Sequence, residues 1–588
     1  MKEYLLLLSI SPVQSFIEAS RKTVDLFNGS QILSDLIDGV NKNSDFINKD
    51  LIIFPEQSLS SKPNRLLAIV QTDNPMEYGI QLKNYITETL LIGKANKTLG
   101  EQLTEDSIKQ FKDHFQINWN LLEYSKENYH ELFWTIEREH SAMKMQREVS
   151  YFSETGRKCA LDGKYNVKFY RKTETENDER KLYNNKLFQE KDSVEIFAYE
   201  NSSKKLQPGE GLSAVSYYKR MYNNEHFSST AGIALMEQIN NTNVGTLCKI
   251  NNYFKKFDES IENHQLLYEE NLTEEYFRKN GYSNFLEKLS SLQNERKDLE
   301  KCIKENTGFK QLHKYYAMIL FDGDSMGAFL SGETLEEKPE GEEFQEFHKY
   351  VSQCLGEFAS YAKNYLDSEN RGRTVYAGGE DFLGFINLVH LFEVMRNLRI
   401  KFKLMVFQKI KKIYSLKKEL TFSAGIVIAH YKIPLSVVLG QVRKAEKRAK
   451  SVDGKNAFAI SVLKHSGERQ EAVWKWGEKK NVLKPIQKIY KHFYDKQFSS
   501  NFVKVLSREF SLLYEKNGKY FNQEHVRAEL KRLLKRAYLG NRENKEKKEK
   551  NIEEMYSFLN MLLSTRTSSL KHYLITLNII DFMIRKIS

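Results

Sequence analysis

The sequence predicts an α+β protein with two mixed strand and helix units, a helical segment between them and a helical C-terminal part. Three stretches predict it. The run Tyr315 to Phe321 is wholly apolar, ends in Asp322-Gly323-Asp324 and leads into a helix start, so it reads as a buried strand with carboxylates at its tip. Gly378-Gly379-Glu380-Asp381 lies between two short β-rich runs, where adjacent glycines mark a tight hairpin. The chain opens on another apolar strand, Tyr4 to Ile10, followed by Ser11-Pro12 as a helix start.

The helix after Pro12 carries Phe16, Ile17, Val24, Leu26 and Phe27, and Gly29-Ser30 is expected to interrupt it before Ile32 to Ile37 resumes. The runs Leu51 to Phe54 and Arg65 to Gln71 read as strands, so this start has the order of half a ferredoxin-like unit. Residues 75 to 150 read as mostly helical, with amphipathic stretches Met76 to Leu91 and Ile108 to Leu122. Residues 165 to 206, rich in Lys, Glu, Asn and Thr, suggest an exposed loop, and Ala214 to Tyr222, Thr230 to Ile239 and 254 to 307 suggest helices. After the Gly-Gly hairpin come a helical stretch Asn387 to Tyr414, a strand Leu420 to Ala429, a helix Pro434 to Lys450 and a strand Ala457 to Val462. Apolar positions recur at helical spacing in 502 to 513 and Val526 to Leu539. The domains follow: 1–150 and 311–465 for the two strand-bearing units, 151–310 for a mostly helical linker and 466–588 for a helical end.

At 588 residues the chain needs several cores, and its 40% apolar content with eight prolines excludes a disordered protein. The formal charge of +12 comes entirely from residues 471 to 588, which hold 25 Lys and Arg against 13 Asp and Glu; Lys531 to Lys535 and Arg542 to Lys550 carry much of it. That region is where a polyanionic partner would bind, unless it is simply a solvated helix surface. No apolar run reaches the about 18 residues of a membrane span, the start makes a poor signal peptide, and four scattered cysteines form no disulfide framework, so a cytoplasmic protein is expected.

If the two strands of the second unit are neighbours, Asp322, Glu380 and Asp381 converge. Three close carboxylates repel unless cations sit among them, and hard oxygen ligands suit Mg²⁺ or Mn²⁺ in phosphoryl or nucleotidyl transfer. A lone Gly-Gly-Glu-Asp is more often a hairpin with solvated acids. The complete order, however, resembles the catalytic palm of GGDEF-type nucleotide cyclases. Further, SISPVQSFIEASRKTVDLFNGSQILSDL, FDGDSMGAFL and YAGGEDFLGF, in this order, resemble the large subunit of type III-B CRISPR effector (Cmr) complexes, over roughly residues 1 to 465.

The resemblance implies two ferredoxin-like palm domains, a subunit of a ribonucleoprotein with other Cmr subunits, CRISPR RNA and target RNA, and conversion of ATP into a nucleotide second messenger. The product would be a cyclic oligoadenylate or, in some branches, an AMP adduct of S-adenosylmethionine. Asp322, the Gly323 carbonyl, Glu380 and Asp381 would hold the metal, with Glu380 in place of the family's usual Asp. Gly378, Gly379, Ser11, Gln14, Arg448 and Lys455 would meet nucleotide; Arg448 and Lys455 are taken from a basic set with Arg443, Lys444, Lys447 and Lys450 that could equally be a solvated face. Asp324 is either a ligand or a helix N-cap. Asp73 and Glu154 are candidates for the acceptor pocket. Ser150 to Lys158 lead into Cys159, where the family often has a zinc motif; here Asp162 and Ser213 stand in cysteine places, so loss of zinc and ordinary packing are expected. No His-Asp dipeptide occurs among the 13 histidines, so no His-Asp nuclease is expected. A catalytically inactive scaffold and a free-standing cyclase are the competing readings.

Overall fold

The structure, a computed structural model, describes residues 2–59, 61–100, 103–145, 154, 156–171, 205–223, 227–257, 263–477, 482–499, 501–512, 523–540, 545–563 and 570–587. Most of the expected 165–206 loop, the residues before Glu154 in the expected lead to Cys159, and the first residues of the basic 542–550 segment lie outside them.

The first sheet comprises β1 (Lys2–Ser11), β2 (Ile52–Phe54), β3 (Arg65–Thr72) and β4 (Gln116–Glu123), in the order β2-β3-β1-β4, with all pairs antiparallel. A two-stranded ribbon, β5 (Phe169–Tyr170) and β6 (Gly211–Leu212), lies in the linker. The second sheet comprises β7 (Tyr315–Gly323), β8 (Gly372–Ala377), β9 (Asp381–Asn387), β10 (Phe422–His430), β11 (Ala457–Leu463) and β12 (Arg469–Lys475), ordered β12-β11-β10-β7-β9-β8. Its part β8-β9-β7-β10 repeats the order of the first sheet; β11, parallel to β10, and β12 extend it. The two units pack reciprocally: the helix Thr23–Lys42 after β1 lies on β8, and the helix Gly341–Asp367 after β7 lies on β2.

β7 is apolar throughout because both its faces are covered. Tyr315, Ala317, Ile319 and Phe321 enter one core with Phe344, Phe347 and Val351. Tyr316 and Met318 enter another, which also holds Leu6, Leu8 and Ile10 of β1 and Val438 and Val442 of the helix Leu435–Lys450. Period-two alternation then puts Asp322 on this second face, where the two units meet.

Gly425 sets how closely the 435–450 helix lies on the sheet. A Cβ there would stand 2.2 Å from the Val442 carbonyl oxygen and 2.4 Å from the Glu446 nitrogen. Only a glycine allows that approach. On the helix Val438, Val442, Glu446 and Lys450 share one face at four-residue spacing, so the same stripe begins in the core and ends in charge beside the β7 tip.

Three expectations are corrected. Gly29-Ser30 does not interrupt the first helix; Thr23–Lys42 is continuous, and the break falls earlier, after the short helix Gln14–Glu18. The Asp25 carboxylate accepts from the Arg21 and Lys22 amides at 3.1 and 3.0 Å and so starts the longer helix. Gly29 serves packing instead, since a Cβ would sit 3.1 Å from Lys219 Cδ, and tertiary contact outweighs its helix cost of about 1 kcal/mol. The helical reading of Ile108 to Leu122 holds only to His114; β4 follows and pairs with β1, completing the ferredoxin-like unit. β12 likewise lies beyond the expected end of the second unit at residue 465.

Gly425→Ala is expected to push the 435–450 helix off the sheet. Overpacking costs about 1–3 kcal/mol, so the thermal midpoint of the full chain falls by a few degrees in differential scanning calorimetry.

Candidate active site

The β7–β9 register places Asp322 directly opposite Asp381, and the β7–β10 register places Ser423 on its other side. Opposed residues on antiparallel strands stand about 4.5–5.5 Å apart and share a face, so the two carboxylates meet. The hairpin makes room for this. The Gly378 amide donates to the Asp381 carbonyl at 3.0 Å, and a Cβ on Gly378 would lie 2.5 Å from Asp381 Oδ1. Gly379 has φ +116°, which disfavours a side chain. The Gly323 amide donates to the Glu380 carbonyl at 3.0 Å, closing the turn onto the β7 tip.

The electrostatics follow from this crowding. Burial, then the neighbouring Glu380 and Asp322, push the Asp381 carboxyl above its ordinary range. Burial and Asp322 push Glu380 up as well, opposed by its own backbone hydrogen bond and by Arg65. Lys450 answers part of the charge by pairing with Asp322, and with Glu446 at 2.9 Å. Burial disfavours its ammonium, yet these two carboxylates outweigh that and hold it above the ordinary lysine value.

Among the described residues no three His, Cys, Asp or Glu side chains form a ready-made metal cage. The donor set fits another mode: Mg²⁺ is usually bound by one or two carboxylates with substrate phosphate oxygens and water completing its shell. Asp322, Asp381 and Glu380, the last two held toward protonation by burial and by neighbouring carboxylates, would supply the carboxylates such an ion needs.

Lys455 Nζ lies 3.0 Å from Ser325 Oγ just past the β7 tip. Arg448 pairs with Glu471 on β12, and Lys450 from the same basic set is the lysine that reaches the acids. Arg443 pairs with Glu18 of the first unit. Asp324 is not the N-cap of the following helix. Buried at 7% exposure, it accepts from Thr421 Oγ1 at 2.7 Å and from the Asn456 amide at 3.0 Å, which ties the Lys455 turn to the sheet. Ser11 donates to the Gln116 carbonyl at 3.4 Å, and Gln14 starts a five-residue helix with no side-chain cap. They stand near the hairpin, because Ile10 is bonded to Asn64 and Pro63 Cβ lies 4.0 Å from where a Gly378 Cβ would be.

Residues 315–459 match the family described as Cas10/Cmr2, second palm domain, and residues 5–116 match CRISPR-associated protein Cmr2, N-terminal. Both palms belong to the Cas10/Cmr2 family. It is 31% identical over 210 residues to CRISPR system Cmr subunit Cmr2 of Pyrococcus furiosus, an alignment covering 32% of this chain and 23% of that relative, so under a quarter of the curated relative's length is matched. Two cryo-EM structures share the fold. Type III-B Cmr-beta in the apo state gives a TM-score of 0.61 at 14% identity, covering 92% of this chain and 78% of that one. Type III-B Cmr-beta bound to cognate target RNA gives 0.59 at 13%, covering 92% and 79%.

Of the two acceptor candidates, Asp73 lies within the first matched stretch and Glu154 outside both. Asp73 follows the end of β3 opposite to Arg65, roughly 26 Å along the strand direction, and is exposed. Glu154 is taken up in the linker: it accepts from Gln110 Nε2 at 3.0 Å and the Asn166 amide at 2.6 Å. Asp162, three residues after Cys159, accepts from Ser213 Oγ at 2.5 Å, Ser216 Oγ at 2.7 Å and the Lys164 and Tyr165 amides at 3.0 and 3.1 Å. A hydrogen-bonded carboxylate, more than ordinary packing, thus joins the two halves beside buried Cys159.

Because the Glu380 and Asp381 carboxyls titrate higher folded than unfolded, their contribution to stability is full below about pH 4 and is lost as pH rises toward the folded values. At pH 8 without metal, Asp381→Asn is therefore expected to raise the thermal midpoint. Millimolar Mn²⁺ raises the wild-type midpoint by a few degrees and leaves the variant unmoved.

Proposed function

We propose that this chain is the signalling subunit of a type III-B CRISPR RNA-guided complex. On binding target RNA it would use ATP and a divalent metal to make a nucleotide second messenger, a cyclic oligoadenylate or an AMP adduct of S-adenosylmethionine. The observation that carries this reading is the cross-strand pair Asp322 and Asp381 with Glu380 beside it and Lys450 within reach. Half-buried acids such as Glu380 and Asp381, held above their ordinary pKa beside a lysine, are the kind of groups a reaction site assembles.

Asp322, the Gly323 carbonyl, Glu380 and Asp381 would hold Mg²⁺ or Mn²⁺, which lowers the charge on the α-phosphate and on the departing pyrophosphate. Lys450, freed from Asp322 once the acids have a stronger cation, would turn to the triphosphate, and Lys455 with Ser325 would bound the phosphates on the far side. Asp324 keeps Lys455 in place through Asn456. An acceptor oxygen attacks the α-phosphorus, its proton leaves to water or to a carboxylate, and pyrophosphate departs. Gly378 and Gly379 keep the hairpin backbone open to the nucleotide.

The partners proposed are CRISPR RNA, target RNA and other Cmr subunits. The similarity to the RNA-bound Cmr-beta structure and the exposed Arg532, Lys535, Arg536, Lys545, Lys547 and Lys550 near the C-terminus support them. No helix among the described residues is long and apolar enough to cross a membrane. One observation favours a non-catalytic scaffold: Lys450 already neutralises Asp322, so the acids could simply hold the hairpin.

The reconstituted complex with target RNA, labelled ATP and Mn²⁺ separates the two. The triple variant Asp322→Ala, Glu380→Ala, Asp381→Ala is expected to lose product formation by at least about 10³-fold, and mass spectrometry with and without S-adenosylmethionine identifies the product. No product from the wild type leaves only the scaffold.

A further inference from the structure

The two palms can be superposed residue by residue through their backbone hydrogen bonds. In the second, the Gly323 amide donates to the Glu380 carbonyl at 3.0 Å, with Asp322 opposite Asp381. In the first, the Ile10 amide donates to the Asn64 carbonyl at 3.0 Å, with Ser9 opposite Arg65. Ser9, Asn64 and Arg65 therefore occupy the places of Asp322, Glu380 and Asp381. Three acids are exchanged for two neutral groups and a guanidinium.

This first-palm corner is closed to a cation. Ser9 Oγ lies 2.7 Å from His140 Nε2 with both side chains buried, so the place of Asp322 is plugged from the helix Tyr129–Met145. Asn64 Nδ2 donates to the Ile10 carbonyl at 3.0 Å. Arg65 stays open, with its side chain 35% exposed and paired to Glu137, which is 26% exposed. Its turn abuts the acidic one, since Pro63 Cβ lies 4.0 Å from where a Gly378 Cβ would be. A planar guanidinium offers five donors and matches the paired oxygens of a phosphate.

We propose that Arg65 is a reaction-centre residue lent by the first palm: it leaves Glu137 to bind a phosphate oxygen of the nucleotide held at the acids of the second. This rests on the nucleotide-using reading above. Glu137 is then a holding group that keeps the guanidinium off the acids until an anion competes for it. The degenerate first palm becomes the source of positive charge for the intact one.

Arg65→Gln and Glu137→Gln break the same ion pair, which makes them a discriminating test. Calorimetry of the full chain with Mn²⁺ and a non-hydrolysable ATP analogue is the measurement. Arg65→Gln is expected to weaken binding at least about tenfold, Glu137→Gln to bind as tightly as wild type or more tightly, and Arg65→Lys to fall between. A merely structural pair would weaken both Gln variants alike. That result, or wild-type affinity in Arg65→Gln and Arg65→Lys, overturns the assignment while leaving the proposed activity standing. Failure of the wild type to bind the analogue overturns both.

Discussion

The structure depends on one register. Pairing β7 with β9 so that Phe321 faces Phe382 necessarily sets Asp322 against Asp381 at the next position. Two like charges about 5 Å apart repel by on the order of 3 kcal/mol at an effective dielectric constant of 20, and the strands have no local means of escape. The apolar pairs behind them, down to Tyr316 opposite Asn387, hold the register because a one-residue slip would turn every side chain to the wrong face. The core therefore stores a charge conflict at the strand tips that only protonation, Lys450 or a metal ion can relieve. Gly378 and Gly425 exist in service of the same point, one clearing space for the Asp381 carboxylate and the other drawing the lysine helix onto the sheet.

The second palm does not stand alone. Each palm presses its first helix on the edge strand of the other, and one apolar cluster draws side chains from both. The acids open onto that shared face, with Arg443 and Glu18 pairing across the junction near the basic helix. A repeated fold used twice, once with acids and once with Ser9, Asn64 and Arg65, sets an acidic corner beside one whose guanidinium is held by Glu137. The linker adds its own anchor: Arg220, fully buried, pairs with Asp25 and with Glu210, and Lys219 donates to the Phe16 carbonyl at 2.7 Å, binding the SISPVQSF corner to the linker.

Much of this was legible in the sequence, because its signals are local. An all-apolar strand followed by carboxylates, a Gly-Gly turn and helical spacing each write themselves into consecutive residues, so β7, the hairpin, β10 and the 435–450 helix appear where expected. What stayed hidden depends on partners far along the chain. β4 follows an amphipathic helix without a turn signal and is a strand only because β1 offers an edge. Asp324 looks like a cap until Thr421 and Asn456 are seen to claim it. Lys450 was one lysine among several, although the stripe Val438, Val442, Glu446, Lys450 would have singled it out; Arg448, two residues earlier, faces β12 instead. Arg65 carried no signal, since its meaning comes only from the register of the other palm.

The central claim is that strand pairing forces acids together into a state that a divalent ion resolves. Its most direct measurement is calorimetry of Mn²⁺ binding by the full chain at pH 7 in two buffers of different ionisation enthalpy, which counts the protons released. The account predicts binding with release of about one proton per ion, because the paired carboxyls hold protons that the metal expels. Binding without proton release, or no binding at all, would contradict it.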